Sequence, residues 1–265
     1  VFLKYYPLAL VLVLLVAQLR PNGTPLKERL LAMRRPVGAF VAACVGLLAL
    51  TVLINPVVFY RQLSTLSQRP LEVESVPASL VWAGTRLGFP MRAFVGFGSD
   101  NVASPLAAPA ALLVAVLAVV AVATLLSGVW FRRMTLGQAF LATLLAVTIA
   151  GKVFSAQYLI WLVPIAALVV PLEGLMPLAW LAACALTTFG FPFLFRAQHG
   201  GWHGVVALRN VLIVALAAGV LPLEEWARWW QAARSARRPA WLGLPAKLRE
   251  RRATHGEPSG SPAET

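Results

Sequence analysis

Lys152-Val153-Phe154-Ser155-Ala156-Gln157-Tyr158-Leu159-Ile160-Trp161 is a polar seam between two apolar runs. Leu136 to Ala150 precedes it and Leu159 to Val170 follows, the second interrupted by Pro164. An ionised side chain at the centre of a bilayer costs roughly 3 kcal/mol or more, so a lysine with such flanks either snorkels to the headgroups or faces a wet cavity. Gln157 and Trp161 are four residues apart and share a helical face, which sends an amide and an indole the same way as the chain re-enters the apolar phase. Two membrane helices joined by a turn that carries a cation, a hydroxyl, an amide and a phenol is the pattern from which the rest is read.

Composition agrees. The chain of 265 residues is 59% hydrophobic and 12% charged, far more apolar than a soluble domain. The net charge of +13 suggests nucleic acid at first sight, but the basic residues lie in short loops and a tail rather than on one surface, so nucleic acid is excluded as a partner and positive-inside topology explains them. Cys44 and Cys184 lie in apolar runs and imply no disulfide or metal framework. The chain opens on Val1, already within a membrane approach, and it reads as the C-terminal part of a longer protein.

Seven spans are expected: Tyr5 to Leu19, Val37 to Ile54, Ala107 to Leu126, Leu136 to Ala150, Tyr158 to Val170, Met176 to about Phe191, and Val205 to Leu221. The fold class is therefore an all-α polytopic transmembrane helical bundle over residues 1–221, followed by a basic cytoplasmic tail over 222–265 whose Gly/Pro/Ser-rich end reads as disordered. Arg20 to Pro36 reads as a basic cytoplasmic loop, Trp130-Phe131-Arg132-Arg133 as a short turn on the same side, and Glu173-Gly174 as a tight return. Phe193 to Gly204 reads as an outer loop carrying Arg196, His199 and His203.

Asn55 to Ser104 is the longest insertion between spans. Asn55-Pro56 is a cap followed by a helix-starting proline. Phe59, Leu63 and Leu66 recur at i, i+4 and i+7, the spacing of an amphipathic interfacial helix. Val76 to Leu87 is too short to span and reads as re-entrant or interfacial, with Ser75 its candidate cap and its backbone N-H groups available to an anion. Phe94 to Phe97 is a candidate strand, and Gly98-Ser99-Asp100-Asn101 has turn chemistry.

With seven crossings and the tail inside, Arg20, Lys27, Arg29, Arg34, Arg35, Arg132, Arg133 and the basic residues of the tail fall on the cytoplasmic side. The long insertion, Lys152 and the histidine loop fall outside. Lys4, before the first span, and Arg209, within the seventh, stand apart from that count. Lys4, Arg69 and Lys152 then offer cations at one extracytoplasmic level, and the helix start at Ser75 offers a dipole end. Glu72 and Glu74 are carboxylates at that level, on one face if extended and apart if helical. Asp100, the sole aspartate, sits in turn context. His199 and His203 have the spacing of a helical metal pair, but Gly200-Gly201 separates them and no third ligand is evident, so no metal site is assigned.

Lys152-Val-Phe-Ser-Ala-Gln-Tyr-Leu-Ile-Trp161, together with Leu3-Lys4-Tyr5-Tyr6-Pro7-Leu8 and Arg69-Pro70-Leu71-Glu72-Val73-Glu74-Ser75-Val76-Pro77-Ala78-Ser79-Leu80, resembles the bacterial polyprenyl-phosphate-mannose-dependent mannosyltransferases (glycosyltransferase family 87) of the GT-C superfamily. It is more distantly similar to the catalytic subunit of GPI mannosyltransferase. Ala156 stands where the bacterial pattern usually has proline. The resemblance implies an inverting transferase that moves a hexose, expected to be mannose, from a polyprenyl-phosphate carrier to a glycolipid or glycan acceptor at the outer face of the cell membrane, with no nucleotide sugar, cofactor or obligatory metal. It also implies a donor-phosphate or substrate site built from Lys4, Arg69, Glu72, Glu74, Ser75, Lys152, Ser155, Gln157 and Tyr158. The family's catalytic aspartate lies in an early outer loop that has no match here and is expected upstream of Val1. A transporter or flippase of a lipid-linked substrate is the alternative from another class, and a non-catalytic membrane subunit is the third.

Overall fold

The computed structural model describes residues 6–170, 174–190, 193 and 201–221. Lys4, Glu173, Arg196, His199 and the tail from 222 onward lie outside the described residues, and with them the expected disorder of the tail and any His199–His203 pair. The described chain is mostly helical. Helices α1 (Tyr6–Leu19) and α2 (Leu26–Ile54) are followed by α3 (Pro56–Gln68), strand β1 (Leu71–Glu72) and helix α4 (Val76–Gly84). A hairpin of β2 (Arg92–Gly96) and β3 (Ser99–Ala103) leads into α5 (Ala107–Trp130), α6 (Leu136–Ala150), α7 (Leu159–Val169), α8 (Leu175–Gly190) and α9 (Trp202–Val220).

Helix α6 is the hub. It packs against α1, α5, α7 and α9, and touches α4. Ala139, Leu141, Ala142, Thr143, Leu144, Leu145, Ala146 and Thr148 are all buried, so its burial runs round the cylinder, as expected of a helix that is apolar on every side. Thr135 starts it with a capping box: its hydroxyl accepts from the Gln138 N-H, and its own N-H donates to the Gln138 side chain. Helix α2 is the opposite case: its stretch from Val37 to Ile54 is apolar, yet the helix has no buried residue.

Helices α2, α5 and α9 are long and apolar enough to cross a membrane. At 1.5 Å per residue they extend about 44, 36 and 28 Å, against a hydrocarbon core of about 30 Å. The remaining apolar helices are shorter, with α7 only 11 residues long.

Four expectations are corrected. The protein is not all-α: β1, β3 and β2 form a three-stranded antiparallel sheet in that order, with Glu72 opposite Asn101 and Val95 opposite Asp100. The hairpin turn is Phe97-Gly98, both at positive φ, rather than Gly98 to Asn101. Ser99, Asp100 and Asn101 start β3 because β2 supplies ladder partners, while the Asn101 side chain still ties the turn by donating to the Gly96 and Ser99 carbonyls at 2.6 and 2.8 Å. Arg20 to Pro36 is not all loop, since α2 begins at Leu26 and passes through Pro36. Residues 26 to 35 are strong helix formers, and the one backbone bond lost at Pro36 does not outweigh them. The seventh helix likewise starts earlier than expected, which puts His203 inside α9 rather than in a loop.

Candidate functional site

The insertion and the 152–158 connection meet at the end of α6. Ser75 is fully buried and caps α4, its hydroxyl accepting from the Ala78 N-H at 3.2 Å. Its position ends the 71–75 segment, whose five residues are all buried. The Glu72 N-H donates to the Lys152 carbonyl at 2.9 Å, so the strand edge reads the backbone of the residue that follows the Gly151 cap. The Glu72 carboxylate then grips the same connection from its other side: Oε2 accepts the Phe154 N-H at 3.0 Å, and the Ser155 hydroxyl lies 3.2 and 3.3 Å from the two carboxylate oxygens. A charged acceptor makes these bonds stronger than neutral ones. They hold the Lys152 to Ser155 connection in place before the short 3₁₀ turn Ala156–Tyr158.

Glu74 turns toward α9. It forms a buried ion pair with Arg209 at 3.2 Å, and the Arg209 guanidinium also donates to the Glu74 carbonyl. Asn210 donates to the carbonyls of Glu74 and Ser75, both at 3.1 Å, and to the Ser79 hydroxyl at 2.7 Å. Its own carbonyl oxygen takes two N-H groups of Arg209. The guanidinium lies 4.3 Å from the Phe154 ring centroid, a distance for cation–π attraction. Phe154 in turn meets Tyr158 edge to face at 6.1 Å, and Tyr158 leans on Trp161 at 5.7 Å. One arginine therefore ties three sequence-remote segments together.

Burial pushes both carboxyl groups up. For Glu72 burial is the largest influence, opposed first by the Arg69 charge and then by the bonds from Ser155 and Phe154. Glu74 is raised from 4.5 to about 6 by burial, opposed by Arg209, with Glu72 and Asp100 adding repulsion.

The expected residues divide into two groups. Glu72, Ser155 and the backbone of Lys152 come together, and Glu74 and Ser75 join through α9. Arg69 sits at the strand entrance, 3.4 Å from the Ser99 hydroxyl, and acts on Glu72 through its charge. The Lys152 and Gln157 side chains are exposed beside this junction, and Tyr158 is packed within it. The start of α4 is buried against α9 rather than open. Arg209 and Asn210 were not among the expected site residues. Their signal was present: a lone arginine within a run as apolar as 202–220 marks a buried polar partner by default.

In comparisons with known proteins, no family model, curated protein or solved structure matches this chain. The junction holds a cationic side chain at the surface on a connection that a buried carboxylate fixes in place, which suits it to receive an anion.

Proposed function

We propose that this chain is part of a membrane hexosyltransferase of the GT-C type, with seven crossings and an extracytoplasmic site that holds a polyprenyl-phosphate sugar, expected to be mannose. The observation that carries this reading is the Glu72 latch on Phe154 and Ser155, because it joins two of the three family-like stretches through partners that lie 82 residues apart in sequence. In the transfer, the acceptor oxygen bonds to the anomeric carbon as the bond from that carbon to the phosphate oxygen breaks. The departing lipid phosphate gains a negative charge, and the acceptor proton passes to a carboxylate base. Lys152 supplies the cation for the growing charge, and Glu72 acts as a positioning residue that sets the lysine's backbone. The base is not assigned to a residue of this chain; the resemblance attributes it to an aspartate of an early outer loop.

The test uses membranes carrying the intact gene product, a radiolabelled polyprenyl-phosphate hexose and lipid acceptors of the same cells. Lys152→Ala lowers transfer about 100-fold with protein level and insertion unchanged, and Lys152→Arg restores part of it. Undiminished transfer by Lys152→Ala, or transport of the intact donor without sugar transfer by the wild type, defeats the proposal.

A further inference from the structure

At the other end of α6, about 22 Å from Lys152 along the helix, the α1–α2 connection meets the turn between α5 and α6. Gln18, Arg20, Asn22, Arg132 and Thr135 line a cleft of about 430 Å³ there. None of the described side chains lining it is acidic. Arg132 is held by donation to the Pro21 carbonyl at 3.2 Å, and Arg29 donates to the Leu19 carbonyl, so both sides of the cleft are tied. Arg132 has φ of 55°, the left-handed conformation in which glycine usually follows a helix end, so an arginine stands here against its backbone preference. The cleft does not stop at its polar wall. Gln18 also lines an apolar groove of about 320 Å³ between α1 and α2, with Val11, Leu15, Val37 and Phe40.

We propose that the cleft and groove together form a binding site for one anionic phospholipid. The headgroup phosphate sits between Arg20 and Arg132, and an acyl chain follows the groove between α1 and α2. Two arginines with no lining acid select an anion, and basic pockets between membrane helices are suited to anionic headgroups. The apolar continuation past Gln18 selects a lipid over a free phosphate, and it gives α2, which has no buried residue, a lipid shared with α1. This site is separate from the Glu72 junction and does not depend on the proposed transferase activity.

The experiment takes the full chain, delipidated in detergent, and follows thermal unfolding by tryptophan fluorescence while phosphatidylglycerol, phosphatidylcholine or inorganic phosphate is added. Phosphatidylglycerol raises Tm saturably and at about tenfold lower concentration than phosphatidylcholine, and inorganic phosphate leaves Tm unchanged at matched concentration. Arg132→Gly, whose backbone is at ease at that φ, folds and loses the preference. Val11→Trp, which fills the groove, weakens phosphatidylglycerol binding and leaves inorganic phosphate without effect. Native mass spectrometry reports one retained anionic lipid on the wild type and none on Arg132→Gly. Equal effects of the two lipids, an undiminished preference in Arg132→Gly, or a full response to inorganic phosphate alone would each overturn the proposal.

Discussion

Replacing Arg209 by methionine isolates what the buried ion pair contributes. The substitution keeps much of the aliphatic stem and removes the guanidinium that pairs with Glu74 at 3.2 Å, donates to its carbonyl and lies over Phe154. Glu74 is then left buried without its opposing charge, and Glu72 and Asp100 repel it. Breaking one side of a buried pair costs about 3–5 kcal/mol, and loss of the cation–π contact adds about 1 kcal/mol. The double change Glu74→Gln with Arg209→Met removes the stranded charge as well, so it is less damaging than the sum of the singles. A coupling of about 2 kcal/mol is expected from a double-mutant cycle. The assay is unfolding in mixed micelles with rising dodecyl sulfate at pH 7.5, read by tryptophan fluorescence. A cost below about 1 kcal/mol for Arg209→Met, or additivity within about 0.5 kcal/mol, would refute the role given to this pair.

The raised pKa of Glu74 makes its own contribution to stability depend on pH. Between its unfolded value of 4.5 and its folded value of about 6, the folded chain binds the proton more tightly, so this group favours folding fully below pH 4.5 and progressively less as pH rises through 6. The stability difference between wild type and Glu74→Gln should therefore move against the wild type by about 2 kcal/mol from pH 4.5 to 7.5; a flat difference, or one of opposite slope, contradicts the stated burial. In a background with Cys44 and Cys184 replaced by serine, a cysteine at Ala103 should react with an impermeant thiol reagent on intact cells, and one at Gly23 only after permeabilisation. The reverse pattern overturns the proposed sidedness.

Hydropathy by itself determined which segments are helices, because removing apolar surface from water needs no particular partner. The bounds expected for Leu136 to Ala150 are those of α6, and Asn55, Ser75 and the prolines after them mark helix starts through chemistry local to three or four residues. Local reasoning failed where a strong run of helix formers overrode a proline, as in α2, and where pairing with the neighbouring strand β2 turned Ser99 to Asn101 from a turn into β3. The convergence of Glu72 with Ser155 and of Glu74 with Arg209 was decided by the tertiary structure. The partners lie 83 and 135 residues apart, and a carboxylate's neighbours are set by the path of the whole chain rather than by its own flanks. What the sequence held of that junction was the anomaly of polar residues set among apolar ones, and only the packing of α6 and α9 determined which of them would meet.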